Sequence, residues 1–180
     1  MTSRHDDDTT PRIERTSVLA LPADELATDD LRRHLVSLAG VRAPTLAPLL
    51  RCASVPGGVA LTHLVPADAV SMASLSSAGP LRSGQVLGVG VAVLEALVAL
   101  HALDLVHAGV GPESVLVGPD GSVVLAGSGL GWARTCALDV EPAPAHDIEA
   151  VGALVRDLLG PGSAPAPLVR SEERRVGKEC

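Results

Sequence analysis

The chain contains no phenylalanine and no tyrosine, and Trp132 is its single large aromatic residue. Aromatic side chains normally supply the largest buried surfaces of a protein core. Since 47% of the 180 residues are nevertheless hydrophobic, the core must be packed from Ala, Val and Leu side chains. Such a core favours helices, and the length suffices for one domain or for part of a larger one.

Lysine is almost absent, because Lys178 is the only one in the chain. It lies in the segment from Arg170 to Cys180, whose charged composition departs abruptly from the Ala-, Pro- and Gly-rich sequence before it. This peptide, RSEERRVGKEC, resembles a translated sequencing-library adaptor; a charged native helix end is the alternative. The net charge is -7 and no basic stripe with interleaved aromatics is present, so the sequence predicts no nucleic-acid partner.

Cysteines are few. Cys52, Cys136 and Cys180 form neither a C-x-x-C pair nor a set with metal-ligand spacing. The first residues are too polar for the apolar region of a secretion signal. We therefore expect free thiols in a reducing compartment, a cytoplasmic location and no metal site. The polar composition of residues 1–16 predicts a disordered tail.

The longest apolar run is short for a membrane span. Val86 to Leu100 covers about 15 residues with one charge, Glu95, whereas a spanning helix needs ~20. We therefore predict a buried core helix over 83–103 and no membrane span in this chain.

Turn and cap signals divide the rest of the chain into short elements. Pro56-Gly57-Gly58 and Pro119-Asp120-Gly121 each separate two apolar, strand-like runs and predict hairpins. Thr28-Asp29-Asp30 predicts a helix start, with Leu31, Leu35 and Leu38 on one face and Gly40 as its stop. The other predicted elements are a strand over 17–21, a helical turn over 72–75 and a helix over 146–159.

Three motifs follow one another in the second half of the chain. They are VHAGVGPESVLV (106–117), LAGSGLG (125–131) and HDIEAVGALVRDLLG (146–160). In this order they resemble the segments VHRDVKPENVLL, LADFGLA and SDIYALGVLLYELLTG of the protein kinase family. The resemblance extends over about residues 30–160 and is specific over 94–160.

The resemblance implies an α+β, protein kinase-like fold. Its reduced, β-rich N-lobe would occupy residues 17–80 and its truncated, mainly helical C-lobe residues 81–160. Residues 161–180 would then be a linker followed by the adaptor-like tail. Because the later helices of the family's large lobe are missing, we expect the helix over 146–159 to be incompletely covered, with an exposed apolar patch.

The same resemblance implies that the reactive groups are lost. Phosphoryl transfer requires a lysine on the phosphates, acids and amides that hold metal, and a base near the attacking hydroxyl. Gly109 stands at the place of the base aspartate and Gly127 at that of the metal-binding aspartate, while Gly111 and Ser114 replace the loop lysine and asparagine. The family's structural positions are kept at His107, Gly129, Asp147 and Gly152.

We therefore interpret the chain as a bacterial pseudokinase, a kinase-like domain without phosphoryl transfer that binds or regulates a protein partner. The bacterial origin rests on the high Ala, Gly and Pro content, which fits a GC-rich coding sequence. This interpretation needs no cofactor. ATP and magnesium enter only under the alternative of a divergent Ser/Thr kinase or ATP-binding protein, and a truncated gene fragment without function is a third interpretation.

Overall fold

The structure, a computed structural model, describes residues 11–20, 25–131 and 143–160. Within these ranges the fold is α+β, as the sequence predicts, with two three-stranded sheets. The strands are β1 (Arg12–Ala20), β2 (Leu49–Val55), β3 (Gly58–Pro66), β4 (Val70–Ser71), β5 (Val115–Val117) and β6 (Val123–Leu125). The helices are α1 (Glu25–Leu38), α2 (Met72–Ala78), α3 (Ser83–His101) and α4 (Pro144–Leu159).

The first sheet has the order β1-β3-β2, and both pairs of strands are antiparallel. The predicted hairpin joins β2 to β3, and Gly57 takes a φ of 75° at its turn, a conformation that glycine adopts without steric cost. β3 is central and mostly buried, which agrees with its nearly continuous run of apolar residues.

The first strand corrects the predicted boundary of the N-terminal tail. β1 begins at Arg12, so residues 12–16, assigned above to a disordered tail, pair with β3 from Pro66 to Thr62. The side chains from Arg12 to Thr16 are exposed. An edge strand tolerates such a polar sequence because its stability comes from backbone pairing and because its outward side chains remain in water.

The second sheet has the order β4-β5-β6 and contains the other predicted hairpin. Val115 pairs with Leu125 and Val117 with Val123, and Gly121 has a φ of 83° in the turn between them. β4 has only two residues and was not predicted. The segment before β2 connects the two sheets, because the Ala47 N–H donates to the Leu125 carbonyl at 2.8 Å.

Helix α3 provides much of the core between the sheets and α4. Its face from Val86 to Leu100 is buried, and it packs along α4. A Cβ on Gly90 would lie 3.0 Å from Val155 Cγ2, so a glycine permits the close approach of the two helices. By length and composition α3 is the one helix of the described ranges that could cross a membrane, with a mean hydropathy of 1.8. In the structure 39% of this apolar segment is buried, and a core helix can have the same length and composition.

Helix α1 also contributes to the core. It begins at Glu25, before the predicted start at Thr28, and it ends at Leu38. Leu35 and Leu38 are buried, as their spacing predicts. The helix of residues 144–159 leaves Ile148 48% exposed, whereas Val151 and Leu154 are buried. The exposed apolar surface expected on this helix is therefore small.

Candidate functional site

The carboxylate of Asp147 organises the loop between α3 and β5. Asp147 lies in the first turn of α4, where the helix dipole favours a negative charge, and its exposure is 2%. It accepts hydrogen bonds from the backbone N–H groups of His107 and Ala108, both at 2.8 Å. His101 Nε2 lies 3.0 Å from the same carboxylate. One buried charge thus fixes the path of the loop.

The loop needs this support because Ala108 has a φ of 56°, a region that alanine rarely adopts. Such a backbone conformation persists only where the surrounding contacts determine it. The two hydrogen bonds from Asp147 are charge-assisted and therefore stronger than neutral ones. They account for the strained conformation.

His107 joins this loop to the end of β6. Its ring is fully buried, and Nε2 lies 3.1 Å from the Ala126 carbonyl oxygen. Since that oxygen can only accept, Nε2 carries the proton and donates it. Burial lowers the pKa of His107 to about 4, although the nearby Asp147 charge and the bond to Ala126 oppose the shift. The imidazole is therefore neutral at pH 7.

A cavity of about 480 Å³ lies between the first sheet and this loop. β1 and β3 form one wall, and the other is formed by residues 109–114 together with Ala126, Gly127, Leu130 and Gly131. Arg15 and Glu113 are its charged side chains among the described residues. We call this cavity the cleft. Its size matches small-molecule sites, which usually begin at ~300 Å³.

The cleft brings together the four positions at which the resemblance places lost reactive groups. Gly109, Gly111, Ser114 and Gly127 all line it. The Ser114 hydroxyl is used within the loop, since it donates to the Gly111 carbonyl and accepts from the Gly111 N–H, each at 2.9 Å. No group of three or more His, Cys, Asp or Glu side chains suited to a metal ion occurs in the described ranges. Among the described residues that line the cleft, Glu113 is the one carboxylate that could contact a magnesium ion.

The remaining predicted positions lie outside the wall of the cleft. A Cβ on Gly129 would lie 2.6 Å from Leu35 Cδ2, and Gly129 has a φ of 91°. This glycine therefore permits close packing of the loop on α1. Gly152 is exposed, and a Cβ there would meet no atom of the described residues within 4 Å. The described residues therefore show no contact that would explain the structural role expected for Gly152.

Two side chains of the cleft were not singled out from the sequence. His63 on β3 is buried, its Nε2 lies 3.3 Å from the Ser128 carbonyl oxygen, and burial lowers its pKa. Arg15 lies on β1. A histidine inside the apolar run LTHLV is a signal for a buried polar group, whereas nothing local distinguishes Arg15 from the other arginines.

The cleft therefore combines a fixed loop with very few reactive side chains. Glu113 is the one carboxylate among the described residues of its lining, and no lysine is present anywhere before residue 178. A scan against protein-family models finds no match to the chain, and a search of the curated proteins also finds none.

Proposed function

We propose that the chain is a pseudokinase-like domain that binds or regulates a partner and transfers no phosphoryl group. Under this proposal the first sheet and α1 correspond to a reduced N-lobe, and the segments after residue 81 to part of a C-lobe. The cleft between them would be a former catalytic site.

The observation that carries the proposal is the contrast between the two sides of the loop. Behind the loop, Asp147 and His107 hold the backbone through buried hydrogen bonds. On the cleft side, Gly109 and Gly127 present no side chain, and these are the two positions to which the resemblance assigns the base and the metal ligand of phosphoryl transfer. A scaffold kept without its reactive groups supports binding in preference to catalysis.

The proposal predicts that the chain does not bind ATP together with magnesium, and this prediction can be tested. Magnesium prefers carboxylate oxygens and phosphate as ligands, and the described lining of the cleft offers one carboxylate, Glu113, and none at position 127. We expect the melting temperature of the full chain in ATP to be the same with and without magnesium. A ligand at ten times its Kd would otherwise stabilise the fold by about 1.4 kcal/mol, which is a shift of a few degrees.

A variant that places a carboxylate at position 127 provides a specific test of the same prediction. In Gly127→Asp, the new Cβ would lie 3.4 Å from Leu130 Cδ1, so there is room for it, but the φ of 84° strains the backbone of any residue other than glycine. We expect this variant to gain a magnesium-dependent shift in the presence of ATP. Gly121→Asp is the matched control, because Gly121 has nearly the same φ, 83° against 84°, but lies in the β5–β6 turn outside the cleft. Magnesium-dependent stabilisation or ATP turnover by the unaltered chain would contradict the proposal.

A further inference from the structure

A second cavity, of about 670 Å³, lies between α2, α3 and the β5–β6 hairpin. It is larger than the cleft and shares no lining residue with it in the described ranges. Its wall is mostly aliphatic, and its apolar side chains include Met72, Leu75, Leu81, Val89, Val117 and Val123. A largely apolar cavity of this size with a few polar groups is the usual form of a small-molecule site. We call it the second cavity.

Gly88 keeps the second cavity open along its α3 wall. This residue lines the cavity from the interior of the helix, and a Cβ there would meet no described atom within 4 Å. Glycine is unfavourable inside a helix, so helix stability does not account for its presence. A longer side chain at position 88 would take up part of the volume that a ligand needs.

The polar groups that the lining leaves for a ligand are mainly hydrogen-bond donors. Arg12 is exposed at the start of β1, and its guanidinium has no hydrogen-bond or ion-pair partner among the described residues. The Gln85 side-chain oxygen accepts from the Arg82 N–H at 3.0 Å, which leaves the Gln85 NH₂ group to donate. Asp120 is used within its own turn, where Oδ1 accepts from the Ser122 N–H at 2.9 Å. A ligand of this cavity should therefore present acceptor oxygens.

Positive charge collects at the edge of the second cavity that includes Pro44. Arg12 also borders an adjoining depression of about 250 Å³, and Arg42 and Pro44 line the same depression. The Arg42 guanidinium is held there because it donates to the Ala39 and Val41 carbonyl oxygens, both at 2.8 Å. Two arginines thus lie at this edge, and Asp120 is the one carboxylate of the described lining. This distribution of charge favours an anion over a cation.

We propose that the second cavity binds a small amphipathic carboxylate of the medium-chain fatty-acid class. Its carboxylate would accept hydrogen bonds from Arg12, and charge-assisted bonds of this kind are stronger than neutral ones. Its chain would lie against the aliphatic wall, where Met72 can adapt to an irregular apolar shape. A flat aromatic ligand is a poorer match, because no aromatic side chain in the described lining could stack on its ring.

Met72 allows occupation of the second cavity to be observed directly. The chain has two methionines, and Met72 is the one in the described ranges. In the full chain labelled with methyl-¹³C methionine, we expect decanoate to shift the Met72 methyl signal in a saturable way. A titration from about 0.01 to 3 mM brackets a submillimolar Kd. Decyltrimethylammonium, which has the same chain and a positive head group, should bind more weakly by roughly fivefold or more.

A cavity-filling variant tests the position of the site. Gly88→Leu should abolish the saturable shift of Met72, because the leucine takes the place of the hydrocarbon chain. Gly84→Leu is the matched control on α3, since a Cβ on Gly84 also meets no described atom within 4 Å but Gly84 does not line the cavity. Both substitutions replace a helical glycine with a better helix former, and circular dichroism verifies that both variants are folded.

A charge-removing variant tests the role of Arg12. Arg12→Gln should raise the Kd for decanoate by roughly fivefold, whereas Arg51→Gln, on the opposite edge strand of the same sheet, should leave it unchanged. A Met72 signal that decanoate does not move would overturn the proposal, as would a shift that persists in Gly88→Leu. Equal affinity for decyltrimethylammonium, or equal effects of the two arginine variants, would also overturn it. Failure of this site leaves the proposed function untouched, because that function is tested in the cleft by ATP and magnesium.

Discussion

One buried carboxylate determines the backbone of the loop that borders the cleft. Asp147 accepts two backbone hydrogen bonds and contacts His101, and it is almost completely buried. Replacing one carboxylate oxygen would leave the N–H group of His107 or Ala108 without its acceptor, and an unsatisfied buried donor costs ~1–3 kcal/mol. The strained φ of Ala108 would then also lose its support.

We therefore expect Asp147→Asn to lower the free energy of unfolding by about 2–4 kcal/mol. The asparagine keeps one acceptor oxygen but replaces the other with an NH₂ group that faces backbone donors. Urea denaturation measures the change. Asp157→Asn on the same helix is the control, since the Asp157 side chain is 77% exposed, and it should change stability by less than about 0.5 kcal/mol. Equal effects of the two variants would show that the loop does not depend on Asp147.

At the scale of secondary-structure elements, Gly90 permits the close packing of α3 on α4. Gly90 faces Val155 at a distance that leaves no room for a methyl group unless the valine moves. Gly152, in contrast, is a helix-interior glycine with open space around its Cα among the described residues. We therefore expect alanine substitutions at Gly90 and Gly152 to have opposite effects on stability.

Gly90→Ala should destabilise the protein by about 1–2 kcal/mol, because overpacking exceeds the gain in helix propensity. Gly152→Ala should stabilise it by about 0.5–1 kcal/mol, because alanine is the better helix former and meets nothing. Thermal and urea unfolding measure both changes. Destabilisation by Gly152→Ala would restore the structural role that the family resemblance assigns to this residue.

The sequence predicts most elements well because their signals are local. Both hairpins are confirmed, since Pro, Asp and Gly specify turns within a few residues. The prediction fails for the start of β1, where pairing with a distant strand outweighs a polar composition. It also fails for β4, whose two residues form a strand only beside β5.

The difference between local signals and long-range pairing also explains which residues of the cleft could be predicted. Gly109, Gly111, Ser114 and Gly127 were found because they lie within two short motifs. Arg15 and His63 reach the cleft through the β1–β3 pairing, which no local pattern encodes. Residues brought by long-range pairing are thus the part of the site that the sequence does not predict.

At the scale of the whole molecule, we expect stability to depend on pH through three buried or half-buried histidines of the described residues. Burial lowers the pKa of His34, His63 and His107. In the unfolded chain each would take up a proton below about pH 6.5, whereas in the folded chain each remains neutral to lower pH. Their contribution is therefore complete above pH 6.5 and is lost as the pH falls towards the folded pKa, which is about 4 for His107.

We expect the free energy of unfolding to fall steadily between pH 7 and pH 4.5, with His107 alone contributing on the order of 3 kcal/mol over its full range. Urea titrations at several pH values measure the slope of the free energy of unfolding against pH. His107→Gln removes the titrating group but keeps a donor for Ala126, so its slope should be smaller. His146→Gln replaces an exposed histidine of α4 and should keep the original slope. Identical slopes for the two variants would contradict the role of His107.

The pairing of β1 with β3 limits how far the N-terminus can be trimmed for crystallisation. A chain that starts at residue 17, where the composition changes from polar to apolar, would lack the strand pairs from Arg12–Pro66 to Thr16–Thr62. The central strand would then show a row of open N–H and C=O groups, which invites strands from other chains to add to it. Shortened versions should therefore keep Pro11 and everything after it.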